Sequence, residues 1–149
     1  MNIMDLKYIS ATESDRDFFI HVHHISYRST IEVMFGWEEY LQDDFANKAF
    51  DEGGLYIVWQ GEQKVGVYGL EERNNYIWLK ELFLLPEFQG HGIGSHIVQE
   101  TLNQGRIANK KVRLQTLKAN LRAKQLYERY GFQVVEVTDI YWRMEWSPE

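Results

Sequence analysis

The sequence predicts one mixed α/β domain spanning residues 1–149. Three observations predict it. Short alternating apolar runs punctuated by turn residues fill the stretch 55–85, which suits an antiparallel meander. After a glycine-rich segment at 89–94 the pattern changes to helix, strand, helix and a closing strand pair. The composition, 44% hydrophobic and 26% charged, is that of a soluble globular chain, and 149 residues fit one domain of ordinary size.

In chain order, residues 6–9 read as a first strand, and residues 15–27 and 37–50 as helices. Residues 28–36 carry no assignable pattern. Gly53-Gly54 stops the second helix. Residues 55–59 and 64–70 form a hairpin around Gln60-Gly61-Glu62-Gln63, and Arg73-Asn74-Asn75 turns into a long strand over 76–85. In the segment 92–108, Ile93, Ile97, Val98 and Leu102 recur at helical spacing. Val112 and Leu114 alternate with polar neighbours as a strand. Asn120 suits the cap of a helix whose Ala123, Leu126, Tyr127 and Tyr130 share one face, and Gly131 suits its end. Two strands, 132–137 and 140–146, close the chain; Ile140, Trp142, Met144 and Trp146 alternate strictly.

Several functions are disfavoured or excluded. A net charge of −6 opposes general phosphate-backbone binding, so no nucleic-acid partner is expected. No cysteine is present, which removes disulfides, thiolate metal sites and a cysteine nucleophile. The start of the chain lacks the basic flank and apolar run of a signal peptide. No window approaches the roughly 18 apolar residues of a membrane span. The expectation is a cytoplasmic protein with no membrane partner.

The stretch Leu82-Phe-Leu-Leu-Pro-Glu-Phe-Gln-Gly-His-Gly-Ile-Gly94 carries the chemistry. A strand runs through Pro86 into Gly90, Gly92 and Gly94, then into a helix. Glycine lets the backbone take positive φ and approach a ligand closely. Successive N–H groups and the helix start then suit a phosphate or pyrophosphate. The dinucleotide fingerprint fails, because Ser95 or Ile97 stands where its third glycine is needed. The P-loop fails, because no lysine follows Gly94. A plain glycine-rich turn is the alternative.

Gln89-x-x-Gly92-x-Gly94 resembles the Gln/Arg-x-x-Gly-x-Gly/Ala signature of the GNAT superfamily of N-acetyltransferases. The segment Asn120-Leu-Arg-Ala123-Lys-Gln-Leu-Tyr127-Glu-Arg-Tyr-Gly131-Phe132 is similar to the family's Asn-x-x-Ala-x-x-x-Tyr…Gly-Phe pattern. The likeness covers about residues 55–146; the first 50 residues match in element order alone. It implies a twisted, mostly antiparallel mixed sheet with helices on both faces, splayed after the fourth strand beside a bulge. It implies acetyl-CoA as co-substrate, its pantetheine pairing with strand backbone. Leu82, Phe83 and Leu84 would then lie along the pantetheine and acetyl group. Gln89, Gly90, His91, Gly92, Ile93, Gly94 and Ser95 would hold the pyrophosphate, with Asn120, Ala123 and Tyr127 completing the cofactor set. Asn120 would contact the pantetheine arm, a role compatible with capping.

The implied reaction moves an acetyl group from a thioester directly to a primary amine, of a small molecule or a peptide. The amine must lose a proton, the oxyanion must be stabilised, and the thiolate must regain a proton. By the resemblance Tyr127 is the proton donor and the Leu84 N–H polarises the carbonyl. From periodicity alone Tyr127 reads as a core residue beside Ala123 and Leu126; the resemblance reverses that reading. Glu81 interrupts an apolar strand and is the candidate base, because burial raises a carboxyl pKa toward neutrality; the alternative is an outward-facing strand residue.

By the same resemblance the acceptor wall includes Tyr27, Arg28, Phe35, Trp37, Tyr141 and Trp142. Arg28 suits an acidic group on the acceptor, and the acidic balance of the chain suits a cationic amine. His21, His23 and His24 cluster, with His21 and His24 on one helix face. They lack a zinc-protease pattern, so no metal is expected and an exposed helix is the reading. A homodimer is admitted as an assembly. The rival to an enzyme is a domain of the same fold that holds acyl-CoA as a sensor or scaffold without turnover.

Overall fold

A computed structural model describes residues 5–149; the expectations for residues 1–4 lie outside the described residues. The order of elements is the one expected. β1 (Leu6–Ser10) is followed by α1 (Arg16–Met34) and α2 (Glu39–Glu52). The meander is β2 (Leu55–Gln60), β3 (Gln63–Glu72) and β4 (Tyr76–Leu84). Then come α3 (Ile93–Ala108), β5 (Lys111–Leu117), α4 (Leu121–Arg129), β6 (Gln133–Val137) and β7 (Tyr141–Trp146). The strands form one sheet in the order β1-β2-β3-β4-β5-β7-β6. The β1–β2, β2–β3, β5–β7 and β6–β7 pairs are antiparallel, and β4–β5 is parallel. The parallel register covers only Tyr76, Ile77 and Trp78 against Lys111, Val112 and Arg113, although β4 runs on to Leu84. Among the described residues no helix is long and apolar enough to cross a membrane.

The largest departure from the sequence reading is α1, which continues through residues 28–34. Thr30, Ile31 and Val33 are β-branched, which lowers helix propensity and hides the helix from local inspection. In the structure Arg28 Nε meets Glu32 Oε1 at 2.8 Å one turn on. The helix stops at Gly36, whose φ of +79° an L side chain rarely adopts.

Two compact units divide the described chain. One holds the chain up to Gly69 plus Glu81–Ile93; the other holds Leu70–Lys80 and Gly94–Glu149. The first has its core where α1 and α2 meet one face of β2, β3 and β4, with Phe19, Val22, Ala46, Leu55, Ile57, Val67 and Phe83 buried together. The second packs α3 onto β5 and β7. A Cβ on Gly105 of α3 would come within about 3 Å of Lys110 O, Trp146 and Val112, so glycine permits that close approach. Leu114 and Met144 stand opposite each other on the same buried face. The alternation expected of the last strand holds at Met144 and Trp146 and fades toward Trp142 and Ile140, which are progressively more exposed.

Candidate active site

In the first unit the end of β4 is irregular. Arg73 N–H donates to Tyr76 O at one end of the β3–β4 pair, and Leu85 N–H donates to Val65 O at the other. Between those bonds β4 holds one residue more than β3, which is a bulge. Glu81 marks it with a φ of +57°, a conformation that costs a non-glycine residue about 1–2 kcal/mol. Its carboxyl is half-buried, with Oε2 withdrawn from solvent. Beyond the bulge Phe83 points into the α1 core, its ring 4.9 Å from Tyr27 and 5.9 Å from His23. Leu84 lies on the other side, against Gly66 of β3.

The glycine loop leaves this strand through a short 3-10 turn, Pro86–Phe88. Gln89 Nε2 donates to Leu84 O at 3.0 Å, so the motif glutamine ties the loop back to β4. Gly90 and Gly92 take φ of +78° and +87°; Gly94 does not take positive φ and already belongs to α3. Positive φ therefore accounts for two of the three motif glycines. Gln89, Gly90, His91 and Gly92 are exposed, and Ile93 anchors the helix start in the core. The first N–H groups of α3 have no acceptor within the helix and carry its positive dipole end. The loop is thus exposed, with Gly90 and Gly92 at positive φ, and runs directly into the first turn of α3.

The second unit carries Gly94, Ser95, Asn120, Ala123, Tyr127, Tyr141 and Trp142. Asn120 caps α4, its Oδ1 accepting from the Ala123 N–H at 3.1 Å, a bond worth about 1 kcal/mol. Gly131, with φ +96°, follows the helix end, and Phe132 N–H donates to Tyr127 O. Tyr127 is 8% exposed, with its ring against Phe132. Burial pushes its phenol up to about 12, so it is fully protonated at neutral pH. Trp142 donates from Nε1 to Lys118 O, and Lys118 and Lys124 lie over its ring.

Among the acceptor-wall candidates of the first unit, Tyr27 sits edge-on to both His23 and Phe83. Trp37 packs edge-on to His24 and donates from Nε1 to Glu39 Oε2. Arg28 bonds Glu32 and lies over Trp37, so its guanidinium is already engaged. Phe35 is 61% exposed. The histidines depart from the exposed-helix reading. His21 is exposed, but His23 is buried and His24 half-buried. His24 Nδ1 lies 3.0 Å from His23 Nδ1, and its Nε2 lies 2.6 Å from Asp43 Oδ1. Burial, then the neighbouring His24, lowers His23 to about 4. His24, Glu39 and Asp43 are close enough together to suggest a metal set. A 2.6 Å contact is, however, a direct hydrogen bond, shorter than the roughly 3.3 Å between two ligand atoms of a tetrahedral ion. Nothing in sequence spacing announces the pairing of His24 with Asp43. Gly66, a lone glycine within a strand pattern, was the available signal for close backbone approach.

Comparison with known proteins places these features in a family. The acetyltransferase (GNAT) domain matches residues 51–134. An uncharacterised N-acetyltransferase of Archaeoglobus fulgidus is 28% identical over 126 residues, covering 78% of this chain and 86% of that protein. The spermine/spermidine N(1)-acetyltransferase of Bacillus subtilis strain 168 is 29% identical over 70 residues, 44% of this chain and 45% of that one. The crystal structure of the PaiA N-acetyltransferase of Thermoplasma acidophilum in complex with coenzyme A superposes with a TM-score of 0.76, covering 95% of this chain and 98% of that one. Its sequence identity is 16%, so that likeness is one of fold. With the domain matched over more than half of its length, the protein belongs to the GNAT family and is an acetyltransferase.

Proposed function

We propose that residues 1–149 act as one domain that transfers the acetyl group of acetyl-CoA to a primary amine of a small, cationic acceptor. The observation that carries this reading is the bulged end of β4 running into the exposed loop with Gly90 and Gly92 at positive φ. Those N–H groups and the start of α3 suit the pyrophosphate, and the strand edge at Leu82, Phe83 and Leu84 suits the pantetheine and acetyl group. In the transfer the amine nitrogen bonds the acetyl carbon, the C–S bond breaks, the amine gives up one proton and the thiolate takes one. Leu84 N–H is assigned to the thioester carbonyl, Glu81 to the amine proton and Tyr127 to the departing sulfur. An acidic chain of net charge −6 favours a cationic acceptor. The similarity to a spermine/spermidine acetyltransferase over 70 residues supports a polyamine-like amine.

The test is CoA-thiol release against a panel of spermidine, spermine, short diamines, free lysine and a lysine peptide, alongside acetyl-CoA binding by calorimetry. The expected result is turnover on polyamines and a Glu81→Gln variant that turns over more slowly, with a flattened acidic limb and unchanged CoA affinity. Binding of acetyl-CoA without thiol release on any amine would favour the sensor or scaffold reading instead. An unchanged pH profile in Glu81→Gln would assign that carboxylate to structure.

A further inference from the structure

We propose that Gly66 is a positioning residue for the thioester: its bare Cα seats the Phe83 carbonyl and thereby aims the Leu84 N–H. The inference rests on the assignment of that N–H to the acetyl carbonyl. An ideal Cβ on Gly66 would fall 2.4 Å from Phe83 O, 2.6 Å from Leu84 Cδ2 and 3.2 Å from Leu84 Cα. Gly66 does not have the positive φ that would itself require glycine. What glycine supplies at this position is room.

That room fixes a direction. Phe83 O and Leu84 N belong to one peptide, and the described chain contains no cis bond. In a planar trans peptide the C=O and N–H point opposite ways. With the Phe83 carbonyl resting against Gly66 of β3, the Leu84 N–H is turned away from β3. Leu84 O lies on that same far side, since Leu85 N–H of the same trans peptide donates to Val65 O on β3; there it accepts from Gln89 Nε2 at 3.0 Å, and the N–H and C=O of one extended residue share an edge. The next peptide is pinned to β3 by Leu85 N–H donating to Val65 O. The bulge at Glu81 turns the strand immediately before this anchored stretch. A methyl group at position 66 can be relieved at Leu84 Cδ2 by a rotamer change. It can be relieved at Phe83 O only by rotating the peptide that carries the Leu84 N–H.

The experiment is Gly66→Ala in the full chain, with circular dichroism to confirm folding. Single-turnover acetyl transfer should fall about 10²-fold, the loss typical of one misplaced oxyanion donor, while CoA affinity stays within about threefold. A second readout reports the carbonyl itself. The parental protein should bind acetyl-CoA several-fold tighter than S-ethyl-CoA, a thioether without the carbonyl, and Gly66→Ala should lose that preference. Gly105→Ala, which crowds a helix–strand contact instead, should keep both the preference and the rate. If Gly66→Ala folds poorly, Gly66→Ala/Leu84→Ala removes the side-chain clash, keeps the carbonyl clash and should remain slow. A folded Gly66→Ala, or the double variant in its place, with the parental rate and carbonyl preference would overturn the inference. A parental protein that turns over yet prefers neither ligand would overturn the Leu84 assignment, and this inference with it.

Discussion

At the scale of single residues, Tyr127 is a packing residue to which the proposed mechanism adds a chemical role. Its ring is part of the α4 core, as the Ala123–Leu126–Tyr127 face predicts, and its phenol is held neutral by burial, with a pKa of about 12 against an ordinary 10. A phenol that resists ionisation is a durable hydrogen-bond donor. It is a poor source of a fully transferred proton, because a thiolate has a basicity nearer 8.5. In the proposed mechanism Tyr127 therefore stabilises the departing sulfur by donating a hydrogen bond, and the thiolate takes its proton from solvent. Removing only the hydroxyl tests this. Tyr127→Phe should melt within about 1 kcal/mol of the parental protein and lose about 10²-fold in single-turnover rate, nearer the lower end of general-acid effects. The loss should fall on kcat rather than on KM. A Phe variant at the parental single-turnover rate makes Tyr127 a packing residue alone.

At the scale of elements, the loop between β4 and α3 separates backbone roles from packing roles over two adjacent positions. Gly92 sits at φ +87° and is exposed, whereas Ile93 is 1% exposed. Gly92→Val forces a branched residue into a left-handed conformation and should rearrange the loop, costing about 1–2 kcal/mol locally. Ile93→Val removes one buried methyl group and should cost about 0.5–1.5 kcal/mol of global stability. Calorimetry with acetyl-CoA should show a loss of tenfold or more for Gly92→Val and near-parental affinity for Ile93→Val. Equal affinities in two folded variants would detach the loop from phosphate binding. α1 outruns its sequence signal over residues 28–34, where no residue is buried; the Arg28–Glu32 pair one turn apart and the stop at Gly36 are the local features of that stretch.

For the whole molecule, the buried histidine beside the α1–α2 contact makes stability depend on pH. His23, 4% exposed, is surrounded by Phe19, Tyr27 and Phe83, with His24 on its own helix and Asp43 and Glu39 facing His24 from α2. Its folded pKa of about 4 lies below the ordinary 6.5. The folded state therefore favours the neutral ring. The stabilisation is present above pH 6.5 and is lost as pH falls toward 4, because the unfolded chain takes up a proton that the folded chain refuses. Urea titrations at pH 7 and 4.5 should show the parental protein losing about 2–3 kcal/mol more than His23→Gln. Equal losses would mean that His23 charges freely within the fold.

The sequence by itself determined the order of elements, the glycine loop, the Asn120 cap and the Gly131 stop. Each of these depends on neighbours within a few positions, where spacing and turn chemistry act directly. It also determined the family, since Gln89-x-x-Gly92-x-Gly94 and the Asn120 to Phe132 segment combine residue identity with spacing. The tertiary structure alone decided the rest. The bulge at Glu81 depends on how β4 pairs with β3, and no period in the sequence records one extra residue. The burial of His23 and the His24–Asp43 bond follow from α2 folding back on α1. The role of Gly66 appears only when a carbonyl 17 positions away arrives against its Cα. Local chemistry is written along the chain, whereas strand register and backbone proximity arise when distant segments pack.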